Sequence, residues 1–195
     1  MRKKLDREKV RKSVYMLLEG LGINSDKEHF KTTPERVTKA WVDELCCGLG
    51  EKKFKLTTFP VTDNYDQSMV VLQHIPVRSI CAHHLLPFYG EATVAYIPDE
   101  RLCGLSKLSR IVDYFSRRPQ IQEELTTDIT NFLCEQLTPL GAGVIIKATH
   151  MCMAMRGVRH DGIMTTSSLK GLFLSDGTVR AEFTALAHAQ SLNKL

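Results

Sequence analysis

The densest run of potential ligands in this 195-residue sequence is Ser79-Ile80-Cys81-Ala82-His83-His84, just ahead of Pro87. A thiolate and an imidazole three positions apart reach one small volume when the chain turns, and zinc takes such donors at about 2.0–2.3 Å. Two ligands hold zinc weakly, so further donors must come from elsewhere. The comparable cluster is His150-Met151-Cys152, where His150 and Cys152 would share one face of a strand. Two donors from one cluster and one or two from the other would complete a site. Four protein ligands would make a closed structural centre, whereas three would leave a position for water and catalysis.

Gly104-Leu105-Ser106-Lys107-Leu108-Ser109-Arg110 places Ser106, Lys107 and Arg110 on the expected first turn of a helix. Free N–H groups and the helix dipole favour an anion there. Lys107 and Arg110 share a face and could hold one phosphate together, although two ordinary surface cations at a helix start read the same way. Arg156 is a further cation, four residues past Cys152. In Arg118-Pro119-Gln120-Ile121-Gln122-Glu123, the Glu123 carboxylate could accept the ring N–H and exocyclic amine of guanine, a donor pair that adenine lacks. A Glu at a helix start also serves as a capping charge.

Helices are expected first among the elements that must position these groups. Val10, Val14, Leu17, Leu18 and Leu21 form one apolar stripe, ended by Gly20 and Gly22. Thr33-Pro34 opens a second helix that carries Val37, Ala40, Trp41 and Leu45 and stops at Gly48. Residues 50–68 lack clear periodicity. Strands are expected over Met69–Ile75, Val77–Cys81 and Phe88–Ile97, the last alternating Phe88, Ala92, Val94 and Tyr96 against Glu91 and Thr93. After a turn at Pro98-Asp99-Glu100, two helices carry Leu105 to Phe115 and Ile121 to Leu133, parted by Arg117-Arg118-Pro119. Strands follow over Gly143–His150, continued by Met151–Met155, and over Ile163–Phe173, with a closing helix from Val179 to Gln190. That order predicts an α+β fold with helices on one face of the sheet. Exposed sheet edges would need covering, and closing several copies into a ring is one way to do it.

Composition excludes several classes. Apolar residues at 43% and charged residues at 25% describe a globular chain, and no apolar run approaches the roughly 20 residues of a bilayer span. The charged start, Met1-Arg2-Lys3-Lys4-Leu5-Asp6, is unlike a secretory signal. Residues 1–12 carry a net +5 and the remaining chain −1, giving the total of +4; a solvated helix face explains this basic start, and no aromatic platform accompanies it. No nucleic-acid or membrane partner is therefore expected. Six cysteines without a CxxC pair point to reduced thiols and a cytoplasmic location.

Taken together, Cys81-Ala82-His83-His84-Leu85-Leu86-Pro87-Phe88, Ala95-Tyr96-Ile97-Pro98, Gly104 to Val112, Arg117 to Glu123 and His150 to Gly157 resemble the GTP cyclohydrolase I family. Thr33-Pro34-Glu35-Arg36-Val37 and Asp43-Glu44 resemble its N-terminal helical part, and the likeness spans about residues 30–190. It implies hydrolysis of GTP to 7,8-dihydroneopterin triphosphate and formate, the entry to pterin synthesis. It also implies a tunnelling fold, with an antiparallel four-stranded sheet and two helices on one face, assembled into a toroidal decamer of two pentamers. The implied organisation is an N-terminal helical part over 1–50, a connector over 51–68 and a catalytic domain over 69–195. Residues matching Cys81, His84 and Cys152 hold Zn2+ with a position left for water. His150 matches the proton donor to the imidazole ring of guanine, and His83 matches a residue assisting proton transfer around the ribose. Glu123, with Gln122 beside it, matches the anchor of the base. Lys107, Arg110 and Arg156, with Arg36 and Lys39 from a neighbouring subunit, match the triphosphate contacts, and Ser106 a residue near ribose and phosphates. One departure is Ala82, where the family pattern carries Glu. A missing carboxylate beside a metal ligand can cost about 10–100-fold in metal affinity or activity. The alternative reading is a slow or non-catalytic GTP-binding paralogue.

Overall fold

A computed structural model describes residues 5–50, 54–62 and 65–189. Arg2, Lys3 and Lys4 of the basic start, residues 51–53, 63 and 64 of the expected connector, and Gln190 of the closing helix lie outside these. The chain divides into two compact units, Met1–Lys53 and Phe54–Leu195.

In the first unit, α1 (Arg7–Gly20) is capped by Asp6, whose side chain accepts the Lys9 N–H. Pro34 opens α2 (Thr33–Lys39), and the chain continues through a π-helical segment, Ala40–Leu45, and a short 3-10 turn, Cys47–Leu49. Ion pairs Arg7–Asp43 and Arg11–Glu35 tie the two halves together. Of the expected apolar stripe on α1, only Leu18 is buried, while Leu17 and Leu21 stay exposed beside Met16.

The second unit runs β1 (Thr58–Pro60), β2 (Val70–Cys81), β3 (Pro87–Ile97), β4 (Arg101–Cys103), α3 (Leu105–Ser116), β5 (Pro119–Gln120), α4 (Gln122–Leu137), β6 (Gly141–His150), α5 (Met151–Ala154), β7 (Ile163–Gly171), α6 (Leu172–Ser175) and α7 (Gly177–His188). One sheet has the order β5-β2-β3-β6-β7, and β1 pairs separately with β4. The four long strands are antiparallel as expected; two-residue β5 adds a parallel fifth strand beside the end of β2.

The two strands expected before Cys81 are a single strand with a register shift between Leu72 and Ile75, where His74 takes a left-handed backbone (φ 53°). Pro76 is tolerated inside it because β5 flanks β2 only at Ile80 and Cys81, so that edge needs no donor from residue 76. Alternation divides the core between two faces. Ala92, Val94, Tyr96, Val144 and Ile146 pack under Leu108, Ile111 and Val112 of α3 and Leu125, Ile129 and Leu133 of α4. On the opposite face Ala95, Ile97 and Ile145 meet Phe173 and the closing helix through Phe183 and Ala187. Helices therefore cover both faces, the second only where Ala95, Ile97 and Ile145 make it apolar, since Glu91, Thr93 and Lys147 occupy the same face farther along β3 and β6.

Two expected strands end early. The chain leaves β6 at His150 and makes the helical turn α5, and it leaves β7 at Gly171, whose φ of 58° turns it into α6. Cys152 is thus on a helical turn and not on the same strand face as His150.

Candidate active site

Cys81 is the last residue of β2. Its N–H donates to the Leu86 carbonyl (2.8 Å), and its carbonyl accepts from Leu85 N–H (2.9 Å), closing a tight turn through Ala82, His83 and His84. Leu85, with φ 55°, supplies the left-handed backbone that reverses the chain. From the neighbouring strand pair, α5 carries Cys152 back toward this turn. Ligand atoms of Cys81, His84 and Cys152 lie within 4.8 Å of one another. The sulfurs are 3.8 Å apart, and two thiolates on one tetrahedral ion at about 2.3 Å would be about 3.8 Å apart. Two thiols with one imidazole are the donors that zinc prefers, so the group fits a metal ion of that kind. Burial pushes the Cys152 thiol up, reinforced by Cys81 and opposed by the Arg156 charge, so a bound metal would have to displace a proton. Arg156 Nη1 donates to His84 Nε2 (3.0 Å), and His83 Nδ1 lies 3.9 Å from Cys81 Sγ.

His150 stands opposite Phe88 across the β3–β6 pair, and the rings stack at 4.7 Å with 7° between their planes. Its Nε2 is 2.9 Å from Gln122 Oε1. The orientation of that amide is settled by the three acceptors around Gln122 Nε2: the Ile146 carbonyl (3.0 Å), the Met164 carbonyl (3.1 Å) and Thr166 Oγ1 (3.1 Å). His150 Nε2–H must therefore donate to Gln122, which leaves Nδ1 as the nitrogen free to exchange a proton. Burial lowers the His150 pKa below 6.5, and the Glu123 charge works against that shift. His150 and Cys152 line a cleft of about 480 Å3 with Met153, His160, Ile163 and Met164.

Glu123 is exposed on the first turn of α4, close enough for His150 to feel its charge. Gln122 is fully enclosed. The family resemblance put it beside Glu123 at the base; in the structure its side-chain oxygen meets His150, and its nitrogen meets the Ile146 and Met164 carbonyls and Thr166. Ser106 and Arg110 are exposed and Lys107 half-buried on the first two turns of α3, whose N-cap Gly104 provides no side-chain acceptor for the free N–H groups. Arg110 falls one turn later than expected. Arg36 and Lys39 share the last turn of α2, exposed, in the other compact unit. The Phe88 stack and the Gln122 contact escaped sequence reasoning; only the inward alternation of Phe88 hinted at either.

Comparison with known proteins gives a consistent result. A family model described as GTP cyclohydrolase I matches residues 10–188. The chain is 45% identical over 183 residues to the GTP cyclohydrolase 1 of Hydrogenobaculum sp. (strain Y04AAS1), covering 93% of this chain and 98% of that protein. The GTP cyclohydrolase 1 of Aquifex aeolicus (strain VF5) is likewise 45% identical over 183 residues, covering 93% and 97%. For that of Sulfurihydrogenibium sp. (strain YO3AOP1) the identity is 43% over 186 residues, covering 95% and 97%. Among solved structures, the apo form of the archaeosine synthase QueF-Like aligns with a TM-score of 0.44 at 21% identity, covering 53% of this chain and 94% of that one, a likeness that bears on neither fold nor activity.

Proposed function

This chain belongs to the GTP cyclohydrolase I family, and we propose that it opens the imidazole ring of GTP beside a zinc centre held by Cys81, His84 and Cys152. The products are formate and 7,8-dihydroneopterin triphosphate, the entry to pterin synthesis. The observation that carries the metal assignment is the convergence of these three donors, from two distant stretches of chain, within 4.8 Å. A zinc ion held by these three side chains would supply hydroxide near neutral pH, since such an ion lowers the pKa of water to about 7.

The remaining work falls to the chain's own side chains. His150, held at Nε2 by Gln122 and stacked on Phe88, presents Nδ1 for moving a proton at nitrogen 7 of the purine. General acid catalysis of this kind is worth about 10²–10⁴-fold. Glu123 accepts the ring N–H and exocyclic amine of guanine, and its negative charge favours the protonated form of His150. The walls of Met153, Ile163 and Met164 suit a flat ring. Lys107, Arg110 and Arg156 bind the triphosphate, Ser106 sits by the ribose, and His83, next to the ligand turn, assists proton transfer around the ribose. Arg36 and Lys39 reach the triphosphate of a neighbouring subunit.

A tunnelling-fold catalytic domain over 69–195 follows the helical part over 1–50 and the connector over 51–68. Its assembly is a toroidal decamer of two pentamers, with active sites at subunit interfaces. Two features support an assembly: Met16, Leu17 and Leu21 are exposed on α1, and the outer edge of β7 has no partner among the described residues. All six cysteines are unpaired, and no helix of the described residues is long and apolar enough to cross a membrane. A cytoplasmic location agrees with the unpaired thiols.

Incubating metal-loaded protein with GTP should release formate and a pterin that fluoresces on oxidation; absence of both would refute the reading. Ala82 is exposed in the ligand turn and offers no carboxylate beside the metal ligands, which would cost metal affinity or turnover. Ala82→Glu should raise turnover or metal affinity by up to about 10-fold.

A further inference from the structure

We infer that Gln120, braced by Arg118, is a positioning residue for the ligand turn that carries Cys81 and His84, an inference that rests on the metal reading above. That turn is exposed from Ala82 to Leu85. It is tied to the body of the sheet by Ala82 N–H, which donates to the Gln120 carbonyl (3.1 Å), and by the parallel pairing of Ile80 with Pro119 and Cys81 with Gln120.

Gln120 is itself held on every side. It is 5% exposed. Its Nε2 donates to Ser79 Oγ (3.0 Å) and to the Phe115 carbonyl (2.7 Å), and its Oε1 accepts from Arg118 Nε (3.0 Å). Arg118 is anchored in turn by Asp128 on α4 and lies over the Phe115 ring, 5.0 Å from its centroid. Ser79, two residues before Cys81, completes the loop by donating to the Arg118 carbonyl (3.2 Å). One hydrogen-bonded network, buried at Ser79 and Gln120 and reaching the surface at Asp128, thus joins β2, the end of α3 and α4 at the residue that grips Ala82. Without the Gln120 side chain, the Phe115 carbonyl and Arg118 Nε lose their partners, and the carbonyl under Ala82 is freed to shift. Cys81 and His84 would then be displaced from Cys152, which stands on another element.

The test measures Zn2+ affinity of the full chain by competition with a chromophoric chelator, for the parent, Gln120→Ala and Ser79→Ala. Alongside it run the visible spectrum of Co2+-loaded protein, which reports ligand geometry, and the thermal midpoint of the metal-free form. Gln120→Ala should bind Zn2+ about 10–100-fold more weakly, as for other residues that orient metal ligands, and should alter the Co2+ bands. Ser79→Ala should weaken binding in the same direction by a smaller factor. A lowered thermal midpoint with unchanged metal affinity and bands would overturn the inference. Should Gln120→Ala fail to fold, parent-like affinity in Ser79→Ala would overturn it instead. A parent chain that takes up no Zn2+ would refute the metal reading itself, a result distinct from equal affinity across the variants.

Discussion

Replacing Gln122 by Leu separates two roles that its position allows. The substitution nearly keeps the volume but removes the donor to the Ile146 and Met164 carbonyls and the acceptor of His150 Nε2–H. Thr166 Oγ1 already has Thr126 Oγ1 at 2.6 Å and can turn to it, so the buried Ile146 carbonyl and the half-buried Met164 carbonyl each lose a donor. At about 1 kcal/mol each, the lower end for an unsatisfied buried group, the loss of stability is about 2 kcal/mol. For a chain of this size that lowers the thermal midpoint by about 4–8 °C. The catalytic effect should be larger. His150 keeps its stack on Phe88 but loses the bond that fixes which nitrogen carries the proton. A general acid worth about 10²–10⁴-fold should forfeit on the order of 10–100-fold in kcat when its tautomer and tilt are released. The KM for GTP should stay within about twofold, because ground-state binding is untouched. Steady-state kinetics of Gln122→Leu, His150→Ala and the double variant decide the matter: on the His150→Ala background the Gln122 change should cost little further. A large rise in KM with kcat preserved would show Gln122 gripping the base, and full additivity would show it acting independently of His150.

Three further outcomes are expected. Glu123→Gln should lower kcat/KM for GTP by about 10–100-fold through a lost charged acceptor, and should lose less with inosine triphosphate, which lacks the exocyclic amine; equal losses would argue against contact with that amine. Gly90→Ala should destabilise the chain by at least about 3 kcal/mol in chemical denaturation, since a Cβ there would lie 1.9 Å from the Lys147 carbonyl oxygen and force β3 from β6; a parent-like midpoint would contradict the β3–β6 register. The NMR titration of His150 in metal-free protein should have its midpoint below 6.5, and Glu123→Gln should lower it further. Because the unfolded chain then binds the proton more tightly, the contribution of this group to stability is present above pH 6.5 and declines as the pH falls through the folded value. A midpoint at or above 6.5 would contradict the burial of His150.

Much of the fold was legible because hydrophobic period and punctuation agree. The clearest case is β3, whose alternation both located the strand and turned Phe88, Ala92, Val94 and Tyr96 toward the core. What stayed illegible depended on contacts between distant segments. The second face of β3 and β6 is matched chiefly by Phe173, Phe183 and Ala187, far along the chain, so the closing helix could not be assigned a face. Met151-Cys152-Met153 continues the apolar character of β6, and nothing local announces the helical turn that carries Cys152 to Cys81. The candidate metal ligands Cys81, His84 and Cys152 stood out by type and, through the family resemblance, by position; their separation within 4.8 Å did not. Gln120 and Gln122 carry no local signal because an uncharged amide declares its role only through the partners that surround it.

Anomalous scattering measured on and below the zinc absorption edge, from crystals of the zinc-loaded chain, tests the metal assignment most directly. One strong peak is expected within about 2.3 Å of Cys81 Sγ and Cys152 Sγ and bonded to a nitrogen of His84, with no fourth side chain attached. A peak elsewhere, or a fourth protein ligand closing the coordination sphere, would contradict it.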